Sequence, residues 1–229
     1  MMRWKVSLDE ETHVYTVVDE EGHVYHPKST TTYIKELDPA YNGVPENVLT
    51  AKATHGTAVH KALDEFNKTG KTPFLEELSP LMPVPRAVAK ARRILEEHNS
   101  HPRASELPVI YMYENEPLYV GTTDLITELD GKLCLLDYKT TSELHMTALR
   151  YQLTAYKMAV EQMTPWKIEK LYALWLPKAS KSGVYARLVE VEPMDEKELC
   201  EKFENIHKHD LLKKKSEVVT DDPDSWINA

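Results

Sequence analysis

The chain has 229 residues, with 28 Lys and Arg against 37 Asp and Glu, so its formal net charge is −9. This length suits one domain of ordinary size that buries its own core. The two cysteines, Cys134 and Cys200, exclude a disulfide framework and a four-cysteine zinc or iron–sulfur site, and they fit a reducing compartment. Taken alone, the acidic balance argues against a nucleic-acid-binding protein, because such domains usually carry a basic excess.

No segment of the sequence predicts export or membrane insertion. Acidic residues at positions 9–11 come before any apolar stretch of signal-peptide length. No apolar run approaches the roughly 20 residues that a spanning helix needs. We therefore expect a cytoplasmic protein without membrane association.

The first half of the chain predicts a hairpin followed by helices. Gly22 lies between two segments rich in β-branched and aromatic residues, a pattern typical of paired strands. Residues 29–44 predict a short element and a loop. A helix is predicted over 45–68, with Gly70 as its stop. A proline-rich connector then leads to a second helix, predicted over 86–99.

The second half predicts mostly strands. Asp130-Gly131 lies between two apolar runs and is a strong signal for a two-residue hairpin. Ser142 is a candidate N-cap for the helix that follows. The predicted strands span 107–113, 118–129, 132–140, 168–176 and 184–191, and the predicted helices span 142–163 and 195–215, before an acidic tail.

This order of elements predicts an α/β (α+β) fold with a mixed central β-sheet and helices on its faces. We expect a single domain over residues 1–229. Its parts would be an N-terminal β-hairpin extension over 1–44, a core over 45–192, and a C-terminal helix and tail over 193–229.

The predicted hairpin indicates which side chains face each other. If Leu129 pairs with Lys132, then Asp124 faces Asp137 with Cβ atoms about 5 Å apart. Two carboxylates this close destabilise a fold unless a cation lies between them. Lys139 lies on the same strand face as Asp137, two residues further on. A slipped register would separate these groups, so a surface patch without function is the alternative interpretation.

Two carboxylates and a lysine at the end of a strand pair suit a hard divalent ion. Magnesium is usually held by one or two carboxylates together with phosphate oxygens and water. Such an ion polarises a phosphate and generates hydroxide from bound water. A nearby lysine stabilises the charge that develops on the phosphate. The pattern therefore predicts metal-dependent chemistry on a phosphate ester.

Four segments in order carry a resemblance to a known family. They are His55-Gly56-Thr57-Ala58-Val59-His60-Lys61-Ala62-Leu63, Gly121-Thr122-Thr123-Asp124-Leu125-Ile126, Leu135-Leu136-Asp137-Tyr138-Lys139-Thr140, and Gln152-Leu153-Thr154-Ala155-Tyr156. This set, over roughly residues 51–160, resembles the PD-(D/E)XK nuclease superfamily and, within it, the RecB-like exonuclease branch. Each segment alone is a weak signal, but the ordered set is specific. The resemblance implies a restriction-endonuclease-like core. Branch members with a four-cysteine iron–sulfur cluster are excluded.

The resemblance implies roles for individual residues. Asp124 and Asp137 would be the acidic metal ligands, and Lys139 the catalytic lysine. The backbone carbonyl of Tyr138 and the side chain of His60 would be further metal ligands. Without the resemblance, a lone histidine on an apolar helix face is more often a packed or surface residue.

Four more residues are candidates beside this set. Gln152 and Tyr156 lie one helical turn apart, and the resemblance places both in the catalytic site, where they help to position it or the DNA. The alternative is an ordinary polar pair at a helix edge. Glu106, before the first predicted middle strand, is a candidate extra acid. Gly56 would allow close approach of its helix, because it lacks a Cβ atom.

Basic segments offer candidate contacts to a phosphate backbone. They are Arg86–Arg93, Lys178, Lys181 and Lys213–Lys215. A solvated charged face is the alternative for each. The sequence contains neither an H-E-x-x-H motif nor a phosphate-binding P-loop, which excludes a zinc protease of that type and an ATPase.

The resemblance implies a deoxyribonuclease that uses Mg²⁺ or Mn²⁺ to hydrolyse double- or single-stranded DNA. We expect an exonuclease that acts on DNA ends in recombination, repair or phage DNA processing. An endonuclease or a nuclease of single-stranded or branched DNA stays open, as do a non-catalytic DNA-binding module of the same fold and an α/β protein with chance motifs. A recombination or single-strand-binding protein as partner and a homo-oligomer are further expectations.

Overall fold

The structure is a computed structural model that describes residues 4–9, 12, 14–38, 46–72, 82–177 and 185–220, without the side chains of 46–53 and 214–220. The predicted acidic tail, Lys178 and Lys181 lie outside these residues, as do the side chains of Lys214 and Lys215. Within the described part, no helix is both long enough and apolar enough to cross a bilayer.

The N-terminal strands form a small antiparallel sheet. β1 (Lys5–Asp9), β2 (Val14–Val18) and β3 (Val24–Tyr25) lie in the order β1-β2-β3. The predicted hairpin at Gly22 is confirmed, and Gly22 takes a positive φ of 89° there. β1 was not predicted, although its alternation of polar and apolar residues is a strand signal.

Between this small sheet and the central one, the described residues form three helices. α1 (Thr30–Leu37) is capped by Ser29, whose hydroxyl accepts the N–H of Thr32 at 3.2 Å. α2 (Glu46–Thr69) ends at Gly70 as predicted, with a φ of 72°. α3 (Pro83–Glu97) begins three residues earlier than predicted, because prolines fit the first turn of a helix, where no N–H partner is needed.

The central sheet has five strands in the order β4-β5-β6-β7-β8. Only the β6–β7 pair is parallel, and the others are antiparallel, so the predicted mixed sheet flanked by helices is confirmed. The strands are β4 (His101–Tyr113), β5 (Glu116–Leu129), β6 (Lys132–Lys139), β7 (Lys170–Trp175) and β8 (Arg187–Glu190), followed by the terminal helix α5 (Glu196–Thr220).

The starts of β4 and α4 also differ from the prediction. β4 begins six residues before residue 107, because its polar first half pairs with the long strand β5. α4 (Met146–Met163) begins at Met146 with His145 as its N-cap, so Ser142 does not cap it. The segment before α4 is held by other contacts, since the Trp175 indole N–H donates to the Thr141 carbonyl at 2.7 Å.

Helices cover both faces of the central sheet. Leu149 and Leu153 of α4 pack with Leu135 of β6 on one face. Val59 and Leu63, from α2, pack on the other face, with α3 beside them; Leu136 and Tyr138 of β6 belong to the same cluster. Because strand side chains alternate between faces, Asp137 and Lys139 point towards α4. The division into extension, core and tail stays a prediction.

Candidate active site

The β5–β6 hairpin has the predicted register. Its ladder runs from Leu129 opposite Lys132 to Leu125 opposite Leu136. The pairing ends one step before Asp124 and Asp137, and there the Tyr138 backbone N–H donates to Asp124 Oδ2 at 2.6 Å. The two carboxylates therefore lie where the strands separate, a geometry that leaves space for groups from neighbouring elements.

His60 of α2 reaches this opening. Its Nε2 is 3.0 Å from the Tyr138 carbonyl oxygen, and its Nδ1 is 3.2 Å from Asp124 Oδ1. Burial alone would lower the pKa of His60, but the charge and hydrogen bond of Asp124 raise it to about 9. As an imidazolium, His60 donates to both oxygens. It thus contacts two of the oxygens that were predicted to be metal ligands.

Asp137 and Lys139 form the second part of the site. Asp137 is 3% exposed, and its Oδ2 lies 2.6 Å from Lys139 Nζ. Lys139 Nζ also donates to Gln152 Oε1 at 3.0 Å, so α4 helps to fix the ammonium group. Burial and the charge of Asp124 raise the pKa of Asp137 despite Lys139. The pKa of Asp124 moves down, because His60 and Lys139 outweigh the effect of its burial.

Tyr156 of α4 contacts Gln152, the residue that accepts the hydrogen bond of Lys139. It is buried and hydrogen-bonded to Gln152, one turn earlier. A Cβ atom at Gly121 would lie 2.6 Å from Tyr156 Cε1, well inside van der Waals contact. A Cβ at Gly56 would be 3.3 Å from Thr140 Oγ1. Both motif glycines therefore leave room for residues at or next to the site.

Glu106 of β4 completes the acidic cluster. Its neighbours pair with Leu125 and Thr123, so Glu106 lies opposite Asp124. Its φ of 49° is unusual for a residue with a side chain and marks local strain. Glu106, Asp124 and His60 each offer a ligand atom within 4.8 Å of the others. Burial, and then the charge of Asp124, raise the pKa of Glu106 to about 7.

The sequence matches the family model of the PD-(D/E)XK nuclease superfamily over residues 32–224. The chain belongs to this superfamily. A comparison with curated proteins finds no match. Among solved structures, the chain resembles the crystal structure of SSO0001 at 14% identity, covering 77% of this chain and 82% of that one, with a TM-score of 0.36.

Members of this nuclease superfamily use divalent metal ions, and the donors found here fit one. Carboxylates and a backbone carbonyl are the oxygen ligands that Mg²⁺ and Mn²⁺ prefer, and a neutral imidazole is compatible with Mn²⁺. The close approach of Asp124 to Glu106 and Asp137 gives an excess of negative charge that a cation would relieve. Which of these residues bind it stays a prediction.

Glu106, which the sequence offered only as a candidate extra acid, has a ligand atom within 4.8 Å of those of His60 and Asp124. Counting back from the turn at residues 114–115, where Tyr113 pairs with Glu116, would place Glu106 opposite Thr123. An irregularity between Tyr111 and Met112 shifts the register by one residue, and Glu106 therefore lies opposite Asp124. The left-handed backbone of Glu106 has no sequence signal, because the residues around it are ordinary strand residues. Gln152 and Tyr156 lie on one side of the site, as predicted from their spacing.

Replacing Gly121 with alanine should destabilise the fold. The added methyl group would overlap the buried ring of Tyr156, so we expect a loss of about 1–3 kcal/mol. Chemical denaturation measures this loss. Gly56→Ala is the matched comparison: its contact is looser, and alanine favours a helix interior, so its loss should be smaller. Equal stability of wild type and Gly121→Ala would contradict the prediction.

The stability contribution of His60 should depend on pH when divalent cations are removed with EDTA. Because folding raises the pKa of His60 from 6.5 to about 9, its contribution is complete below pH 6.5 and is lost as the pH rises to about 9. The difference in free energy of unfolding between wild type and His60→Gln should shrink across that window. A difference that stays constant from pH 6 to pH 9.5 would refute the interpretation.

Proposed function

We propose that this chain is a metal-dependent deoxyribonuclease of the RecB-like branch that removes nucleotides from DNA ends. The observation that carries the proposal is the meeting of His60, Asp124 and the Tyr138 carbonyl with the Asp137–Lys139 pair at one edge of the sheet. A binding module has no need for a partly exposed lysine held against a buried carboxylate beside a histidine. The proposal includes a role in recombination, repair or phage DNA processing in the cytoplasm.

We assign the metal to His60, Asp124, Asp137 and the Tyr138 carbonyl, with Glu106 as an additional acid. A bound Mg²⁺ or Mn²⁺ supplies a Lewis acid and a water of lowered pKa. His60 must give up its proton to become a ligand. Its contacts with Asp124 and the Tyr138 carbonyl keep the ring oriented towards the same oxygens.

Lys139 is assigned the role of stabilising negative charge on the phosphate undergoing attack. Its ammonium group is held between Asp137 Oδ2 and Gln152 Oε1, so it needs little reorganisation during the reaction. Gln152 acts as a positioning residue through this hydrogen bond. Tyr156 holds Gln152 in turn, and the space left by Gly121 admits the tyrosine ring.

Substitutions at the two ends of one hairpin test the proposal. Asp137→Asn and Lys139→Ala should each lower the rate of DNA hydrolysis by at least about a hundredfold, because each removes a charged group from the reacting centre. End-labelled DNA with Mg²⁺ or Mn²⁺ provides the measurement.

Asp130→Asn and Lys132→Ala are the matched controls, since they change the same residue types at the opposite end of the hairpin. They should keep wild-type activity, and EDTA should abolish it. Cleavage by Asp137→Asn at the wild-type rate, or no cleavage by any variant including wild type, would overturn the proposal. Metal-dependent DNA binding without cleavage would favour a binding module instead.

The shape of the DNA substrate separates an exonuclease from an endonuclease. We expect linear DNA to be degraded and a covalently closed circle of the same sequence to survive. Gel analysis of both over the same time course, with single- and double-stranded forms, measures this. Nicking or linearisation of the circle by wild type, absent in Asp137→Asn, would show an endonuclease. Added single-strand-binding protein tests the expected partner class in the same assay.

A further inference from the structure

A cavity of about 280 Å³ opens beside the candidate active site. It lies between α2, the first half of α3 and the chain after β7. The residues that line it are His55, Pro83, Arg86, Ala87, Lys90, Leu176 and Pro177. Its lining combines apolar side chains with His55 of α2 and with the cations Arg86 and Lys90 of α3. This composition suits a ligand with one anionic group and an apolar body.

One backbone hydrogen bond and one stretch of α2 connect the cavity to the candidate active site. The Leu176 backbone N–H donates to the Lys139 carbonyl at 2.7 Å, so one wall follows directly from the lysine strand. His55 precedes His60 by five residues on α2, which corresponds to about 7.5 Å along a helix axis. That distance is about two nucleotide steps of 3.4 Å each along one DNA strand.

The basic residues of α3 divide into two groups. Arg92 stacks its guanidinium over the ring of Phe66 at 4.3 Å, and Arg93 pairs with Glu97 at 2.8 Å. Arg86 and Lys90 lie one turn apart and are exposed at the cavity, and no ion pair joins either to another described residue. Arg86 and Lys90 are therefore the basic residues of α3 whose charges have neither an ion pair nor a ring contact among the described residues.

We propose that this cavity binds a phosphate of the DNA strand about two nucleotides from the bond that is cut, through Arg86 and Lys90. The proposal rests on the nuclease function proposed above and adds a substrate subsite to it. Two cations four residues apart can neutralise one or two phosphates. The volume is slightly below the roughly 300–1,000 Å³ of typical ligand pockets, which fits a sugar and its phosphate.

Binding without cleavage tests the subsite directly. A fluorescent oligonucleotide is titrated in EDTA with wild type and with two double variants. The cavity variant is Arg86→Ala/Lys90→Ala. The control pair is Arg103→Ala/Lys132→Ala, which removes one arginine and one lysine near the turn at the other end of β6. The cavity variant should bind about tenfold or more weakly at low salt. Its plot of log affinity against log salt should be shallower by roughly 0.7–0.9 for each phosphate contact that is lost.

The proposal is overturned if the cavity variant matches wild type in both affinity and salt slope, if the control pair has an equal effect, or if wild type does not bind. Thermal unfolding of both pairs shows whether either change acts through stability. Oligonucleotides with and without a terminal phosphate are compared. Weaker binding of the one without it indicates that the cavity holds an end phosphate, and equal binding indicates a backbone phosphate. Either result supports a phosphate subsite.

Hydrolysis in Mg²⁺ separates this proposal from the proposed function. An active cavity variant with raised KM and unchanged kcat supports the subsite. If wild type binds in EDTA through Arg86 and Lys90 but cuts no DNA with metal, the nuclease function fails and the phosphate subsite remains. If wild type cuts DNA and the cavity variant has the same KM, the subsite fails and the nuclease function remains.

Discussion

Mutual repulsion of carboxylates at the end of the β5–β6 ladder is the constraint around which the site is arranged. Asp124 and Asp137 lie where the strands separate, and Glu106 approaches Asp124 from β4. Buried like charges are costly, and the neighbouring elements supply the compensation. α2 contributes His60 beside Asp124, and Lys139 on β6 contacts Asp137. The packing of α2 and α4 on opposite faces is thus coupled to the electrostatics of the site.

The parts of the site that depend on strand pairing were predictable from the sequence. A two-residue turn at Asp130-Gly131 fixes the register by simple counting, and the ladder agrees with it. The position of His60 was not predictable in this way, because it depends on how α2 packs across the sheet. Only the resemblance of the ordered motifs placed it near Asp124. Glu106 could not be placed by counting either, because the register of β4 against β5 shifts by one residue after Tyr111 and nothing in the sequence marks the left-handed backbone of Glu106.

The formal charge of −9 now has a more specific meaning. Several acids belong to the cluster around Asp124, where their negative charge suits a cation. The basic groups that face the cavity are few, and most other lysines and arginines of the described surface are paired, as in Arg103 with Glu128 and Lys170 with Glu190. Net charge therefore describes solubility better than substrate preference in this protein.

The local character of the β5–β6 hairpin has a consequence for how the site assembles during folding. Asp124 and Asp137 are 13 positions apart, whereas His60 is 64 positions from Asp124. Because closing a short loop costs less chain entropy, the hairpin is expected to form before the contacts from α2. The repelling carboxylates would then meet before the histidine arrives. Docking of α2 would therefore be the step that places a positive charge beside Asp124, so that the candidate active site is completed late in folding.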